Sequence, residues 1–110
     1  MTRMVSRRPI RVGVVGAGYV SAYHLRALKS LDDVTVVGIA DTNQALAQQT
    51  AAAFGIPAVF RSLEDMAAIR PDVVHILTPP ALHCELSVRA MHMGCHVLVE
   101  KPMAENVEEC

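Results

Sequence analysis

Three short segments carry residue types whose spacing can do chemistry: Gly16-Ala17-Gly18-Tyr19-Val20-Ser21, Asp41, and Glu100-Lys101-Pro102. The first follows an apolar β-branched run and opens a helical pattern. In that context closely spaced glycines form a dinucleotide fingerprint. Gly16 allows a tight turn. Gly18 lets the backbone approach a pyrophosphate with no Cβ in the way. Ala17, Tyr19 and Val20 complete a loop that leads into a helix whose free N–H groups attract an anion. The third position, commonly Gly or Ala, is Ser21, still small enough to pack against a strand. The plain alternative is a glycine-rich turn that binds nothing.

Asp41 closes the second apolar run, 23 residues after Gly18. A carboxylate there accepts hydrogen bonds from adenosine ribose hydroxyls. It could also cap the helix that starts near Asn43, and the two roles can coexist. A 2′-phosphate placed about 4 Å from Asp41 would be repelled by roughly 4 kcal/mol per charge pair at an effective dielectric of 20. Thr42 and Asn43 offer no compensating cation, so the reading favours NAD, with NADP second.

Thr78-Pro79-Pro80 ends the fourth apolar run, where two prolines stop a strand and remove ladder donors. Thr78 and Pro79 are read as cofactor contacts at a strand end, against the alternative of a rigid turn. His83 falls in the first turn of the next helix, as a cofactor contact or as an exposed capping residue. Lys101 could stabilise an alkoxide as a hydroxyl loses its hydride, or move a proton. Elsewhere on a surface it would simply pair with Glu100.

These segments need a frame. Apolar runs at 10–15, 34–40, 58–60, 73–77 and 96–99 read as strands buried on both faces. Helical stripes lie between them. Val20, His24, Ala27, Leu28 and Leu31 form one, and Leu46, Thr50, Ala53 and Phe54 another, closed by Gly55. Residues 63–69 give a short helix stopped by Pro71. Leu82, Leu86, Ala90 and Met93 precede Gly94. Alternating strands and helices imply right-handed crossovers and a doubly wound parallel α/β sheet, order 3-2-1-4-5. Strands two, one, four and five then span three spacings, roughly 14 Å. That suits an extended dinucleotide running from Asp41 past the glycines to Lys101.

Composition agrees. The chain has 110 residues, 52% hydrophobic and 19% charged, which argues against disorder and allows one domain. A net charge of −1 and 4% aromatics argue against nucleic acid as the main partner. No run of 18 apolar residues suggests a membrane span. The three cysteines, Cys84, Cys95 and Cys110, lack CxxC spacing and fit reduced thiols, hence a cytoplasmic location. Residues 1–9 read as a short basic arm. Arg7-Arg8 superficially suggests export, but cleavage behind the following apolar stretch would remove the fingerprint. His83, Cys84, His92, Cys95 and His96 tempt a metal reading. Their spacing points them to different faces, so no metal site is expected. His24 lies on an apolar helix face and reads as a packed histidine.

Together these residues resemble the N-terminal domain of the Gfo/Idh/MocA oxidoreductases over residues 10–110. The matches are Gly16-Ala17-Gly18-Tyr19-Val20-Ser21 with His24, Ala40-Asp41, Thr78-Pro79-Pro80-Ala81-Leu82-His83, and Glu100-Lys101-Pro102. The resemblance implies a Rossmann domain and an NAD(P)-dependent enzyme acting on a sugar or cyclitol hydroxyl. It puts Lys101 at the nicotinamide and substrate as the catalytic residue, and Glu100 beside the cofactor. Pro80 stands where the family usually has Asn, so a side-chain contact to the cofactor is lost. The family's C-terminal α/β domain, which supplies most of the substrate pocket, is not in this sequence. The expectation is therefore a front part of a longer protein, or one needing a partner such as a second copy. The competing function is a non-catalytic NAD-binding or redox-sensing module.

Overall fold

The computed structural model describes residues 9–18, 21–78 and 82–99. Within them, five parallel strands form one sheet: β1 (Ile10–Val15), β2 (Val34–Ala40), β3 (Val59–Phe60), β4 (Val73–Ile76) and β5 (His96–Val99). Their order is β3-β2-β1-β4-β5, the doubly wound arrangement that the alternating pattern predicts. The order reverses between β1 and β4, so the chain diverges there and leaves a crevice beyond the strand ends.

Four helices cover the two faces: α1 (Ser21–Lys29), α2 (Gln44–Phe54), α3 (Leu63–Met66) and α4 (His83–His92). Val12, Val14 and Ile39 pack with Leu25 of α1 and Ala47 and Ala51 of α2. Val15, Ala40, Val74 and Ile76 pack on the other face with Leu63 and Met66 of α3 and Leu86 and Ala90 of α4. Each fully buried aliphatic side chain contributes about 1.5–3 kcal/mol.

Burial corrects the helix stripes in places. On α1 it follows Ser21, Leu25 and, in part, Leu28, whereas Ala27 and Leu31 are exposed. The helix ends at Lys29, so Leu31 falls in the turn beyond it. On α2, Ala47 and Ala51 are the buried residues, with Leu46, Thr50 and Phe54 half-buried and Ala53 exposed. Small alanines let that helix lie close to the sheet. The end of α2 is as expected: Gly55 sits at φ +68° and its N–H returns to the Ala51 carbonyl. Residues 63–69 divide into α3 and a 3-10 turn, Ala67–Ile69. Pro71 stops the helical stretch, because the residue before a proline is sterically kept out of the right-handed α region. Arg70 closes the 3-10 turn in the left-handed region at φ +48°, its N–H donating to the Ala67 carbonyl.

The register between β1 and β2 slips between Val12 and Gly13, so Val37 has no Cα partner on β1. After this bulge the faces of β2 exchange, turning Gly38 toward Phe60 and Ile69. No helix among the described residues is long and apolar enough to cross a membrane.

Candidate functional site

The carboxyl ends of β1, β2 and β4 meet at the crevice, and the loop after β1 forms its floor. Gly16 adopts φ +106°, a region L side chains rarely enter. A Cβ there would lie 3.0 Å from the Leu77 carbonyl carbon and 3.1 Å from the Thr78 nitrogen. The turn is therefore pressed against the end of β4, and the Gly16 N–H bonds to the Ala40 carbonyl at 2.8 Å.

Gly18 is different. It is exposed, and a Cβ on it would meet nothing described within 4 Å. Packing among the described residues does not demand a glycine there, so the demand fits a partner approaching from outside. Ser21 opens α1 and is 2% exposed. Its hydroxyl donates to the Gly18 carbonyl at 2.7 Å, which satisfies the buried polar group and braces the loop. The departure from Gly or Ala is thus accommodated. Tyr19, Val20, Pro79, Glu100 and Lys101 lie outside the described residues, as does the side chain of His83, whose backbone begins α4.

Asp41 follows β2 directly and is half-buried. One carboxylate oxygen accepts the Ala17 N–H and the other the Asn43 N–H, each at 2.8 Å. The capping alternative for Asp41 does not hold: Asn43 is the N-cap of α2, its side chain accepting from the Leu46 N–H at 3.1 Å. Asp41 instead ties the glycine loop to the β2–α2 turn. Each of its oxygens keeps lone-pair capacity for a further donor.

Gly16, Gly18, Asp41 and Thr78 all line one cleft of about 370 Å³. Leu63, Leu77 and Leu86 form part of an apolar wall, and Arg61 and Arg89 line it too. Such a cleft, apolar with a few convergent polar groups, is the common form of a small-molecule site. Sequence reasoning overlooked both arginines. Arg61 follows the third strand directly, so the rule that ligands gather at strand ends could have flagged it. Arg89 is a helical residue with no such signal.

Arg89 bonds to Glu64 and, at 2.9 Å, to Glu85. Its hydrogen bond with Arg89 holds the Glu64 carboxyl below its ordinary range, and the same bond raises Arg89. His24 of α1 meets His75 of β4 edge-on, with ring centroids 4.9 Å apart. His75 is buried and His24 half-buried, so His24 acts here as a packing partner.

The sequence and the fold both have known counterparts. Residues 10–110 match the family model described as "Oxidoreductase family, NAD-binding Rossmann fold". The chain is 32% identical to D-glucoside 3-dehydrogenase of Escherichia coli, over 99% of its own length and 32% of that protein. It is 33% identical to a scyllo-inositol 2-dehydrogenase (NADP(+)) of Bacillus subtilis, covering 91% of the chain and 31% of the relative. The structure superimposes on the WlbA dehydrogenase from Bordetella pertussis, solved with NADH and UDP-GlcNAcA, with a TM-score of 0.86 and 38% identity. That match covers 93% of this chain and 32% of the other. The chain thus spans about a third of the length of these relatives.

Proposed function

The chain belongs to the Gfo/Idh/MocA oxidoreductase family, and from that membership we propose that it provides the dinucleotide-binding domain of an NAD-dependent dehydrogenase acting on a sugar or cyclitol hydroxyl. The observation that carries the reading is the contrast between the two loop glycines. Gly16 is required by the fold, whereas a Cβ on Gly18 would meet no described atom within 4 Å, and Gly18 lines the cleft together with Asp41. A pyrophosphate would use that space, and the ribose beside it would use the remaining acceptor capacity of Asp41.

Residues 10–110 form this domain and residues 1–9 a basic arm before it. Ala17 lies in the loop, and Tyr19 and Val20 follow in sequence before α1, whose N–H groups would face the anion. Thr78, just beyond β4, flanks the switch point, and Pro79 and His83 follow it in sequence as the further cofactor contacts. A bound nicotinamide supplies a hydride acceptor or donor. Glu100 and Lys101 follow β5 in sequence, one strand beyond β4. The Lys101 ammonium donates a hydrogen bond to the substrate oxygen and stabilises the negative charge that develops there. The substrate class follows the relatives, a glucoside dehydrogenase and an inositol dehydrogenase among them.

The test pairs calorimetric titration of the full chain with NAD and steady-state turnover on polyols and glycosides for wild type and Lys101→Ala. The expected result is NAD binding by both, with kcat lost in the variant by a larger factor than NAD affinity. Turnover untouched by Lys101→Ala would remove Lys101 from the chemistry. Absence of NAD binding would overturn the dinucleotide site.

A further inference from the structure

Two guanidinium groups share the cleft with Asp41, and they are not equivalent. Arg89 is clasped by Glu64 and Glu85, so its charge is already countered. Arg61 is exposed and makes no ion pair among the described residues.

The sheet determines where Arg61 stands. Ala40 of β2 pairs with Phe60 of β3, and the Asp41 N–H continues that ladder to the Phe60 carbonyl at 3.1 Å. The next residues along the two strands are Asp41 and Arg61. Their backbones are therefore about one strand spacing apart, on the order of 4.8 Å. Asp41 nevertheless does not pair with this cation, because its two oxygens are directed to the N–H groups of Ala17 and Asn43. A carboxylate engaged by the backbone and an uncommitted guanidinium thus stand side by side at the rim of one cleft.

A lone carboxylate at this strand end disfavours a phosphate on the ribose it holds. A guanidinium one strand away supplies the opposite charge and a fork of donors matched to phosphate oxygens. We propose that Arg61 is a specificity-determining residue that offsets Asp41 and admits NADP to the cleft alongside NAD, its guanidinium pairing with the adenosine 2′-phosphate. This rests on the cleft being a dinucleotide site. Thr42 and Asn43 offer no cation, but the compensating charge comes from the adjacent strand, which residue order alone does not reveal.

Calorimetric titration of the full chain with NAD and with NADP tests this, using wild type, Arg61→Ala, Arg61→Lys, Asp41→Asn and the double variant. Wild type is expected to bind NADP within about tenfold of NAD, and Arg61→Ala to widen that ratio by about tenfold more. Arg61→Lys should restore part of the loss, since charge remains while the fork does not. Asp41→Asn should move the ratio toward NADP with Arg61 present, and by at least as much in the double variant's background, where the carboxylate's repulsion of the phosphate is uncompensated. Equal shifts in both cofactors, or no shift, on Arg61→Ala would overturn the assignment. If wild type failed to bind NAD itself, the dinucleotide reading would fall and this inference with it. NAD binding with a ratio indifferent to Arg61 would defeat this inference alone.

Discussion

The Asp41 carboxylate accepts the backbone N–H of Ala17 at 2.8 Å, joining two segments separated by 24 residues. Ala17 is 2% exposed, so water has little access to replace that acceptor. The residue read from sequence as a ribose ligand therefore also holds the glycine loop in shape.

Asp41→Ala should consequently destabilise the chain even without ligand, by about 1–3 kcal/mol for the stranded N–H. Asp41→Asn keeps one acceptor oxygen and should cost less. Urea denaturation of the three proteins measures the difference. An alanine variant as stable as wild type would show that the bond has no structural weight.

The two loop glycines should separate cleanly. Gly16→Ala places a Cβ against the backbone of Leu77 and Thr78 at positive φ, and strain of that kind costs about 1–3 kcal/mol. Gly18→Ala meets no described atom within 4 Å and should change stability by under about 0.5 kcal/mol. The Gly18 variant should still lose NAD affinity, because the added methyl group occupies the path of the pyrophosphate. Denaturation and calorimetry on the same two variants decide the matter. A Gly18→Ala protein with unaltered NAD affinity would contradict the assignment of that space.

The Glu64–Arg89 pair should make a small, pH-dependent contribution. The folded-state pKa of Glu64 is lowered, so the stabilisation is present above the ordinary value of 4.5 and is lost as pH falls through the lower folded value. Both side chains are substantially exposed, at 40% and 50%, and solvent screening limits the pair to about 0.2–1 kcal/mol. Glu64→Gln should therefore cost that much at pH 7 and progressively less in acid. Urea melts at neutral pH and near pH 3 would reveal it, and an identical cost at both would assign the effect to packing.

Cys95 should resist alkylation in the native state. It is 7% exposed, its Sγ donates to the Pro71 carbonyl at 3.4 Å, and burial with the nearby Asp72 carboxylate pushes its thiol pKa up. All three disfavour the reactive thiolate. Iodoacetamide labelling followed by mass spectrometry should modify Cys95 much more slowly in buffer than in urea. Equal rates would mean that this end of β5 opens readily.

Sequence alone was enough for the α/β class, the strand order and the places of the glycines and Asp41. Runs of Val, Ile and Ala bounded by turn residues report burial directly, and crossover handedness leaves few topologies. Sequence also carried the family resemblance, because that rests on residue types in a fixed order. Tertiary structure decided what each group touches. It replaced the capping alternative for Asp41 with a brace for the Ala17 N–H, and made Gly16 a packing requirement while leaving Gly18 with no described atom near its Cβ position. It set a bulge in β2 that no period-two pattern reveals. It also brought Arg61 beside Asp41 across twenty residues of chain. Local patterns encode which face of an element is buried, but strand pairing sets side by side residues whose separation along the chain carries no such signal.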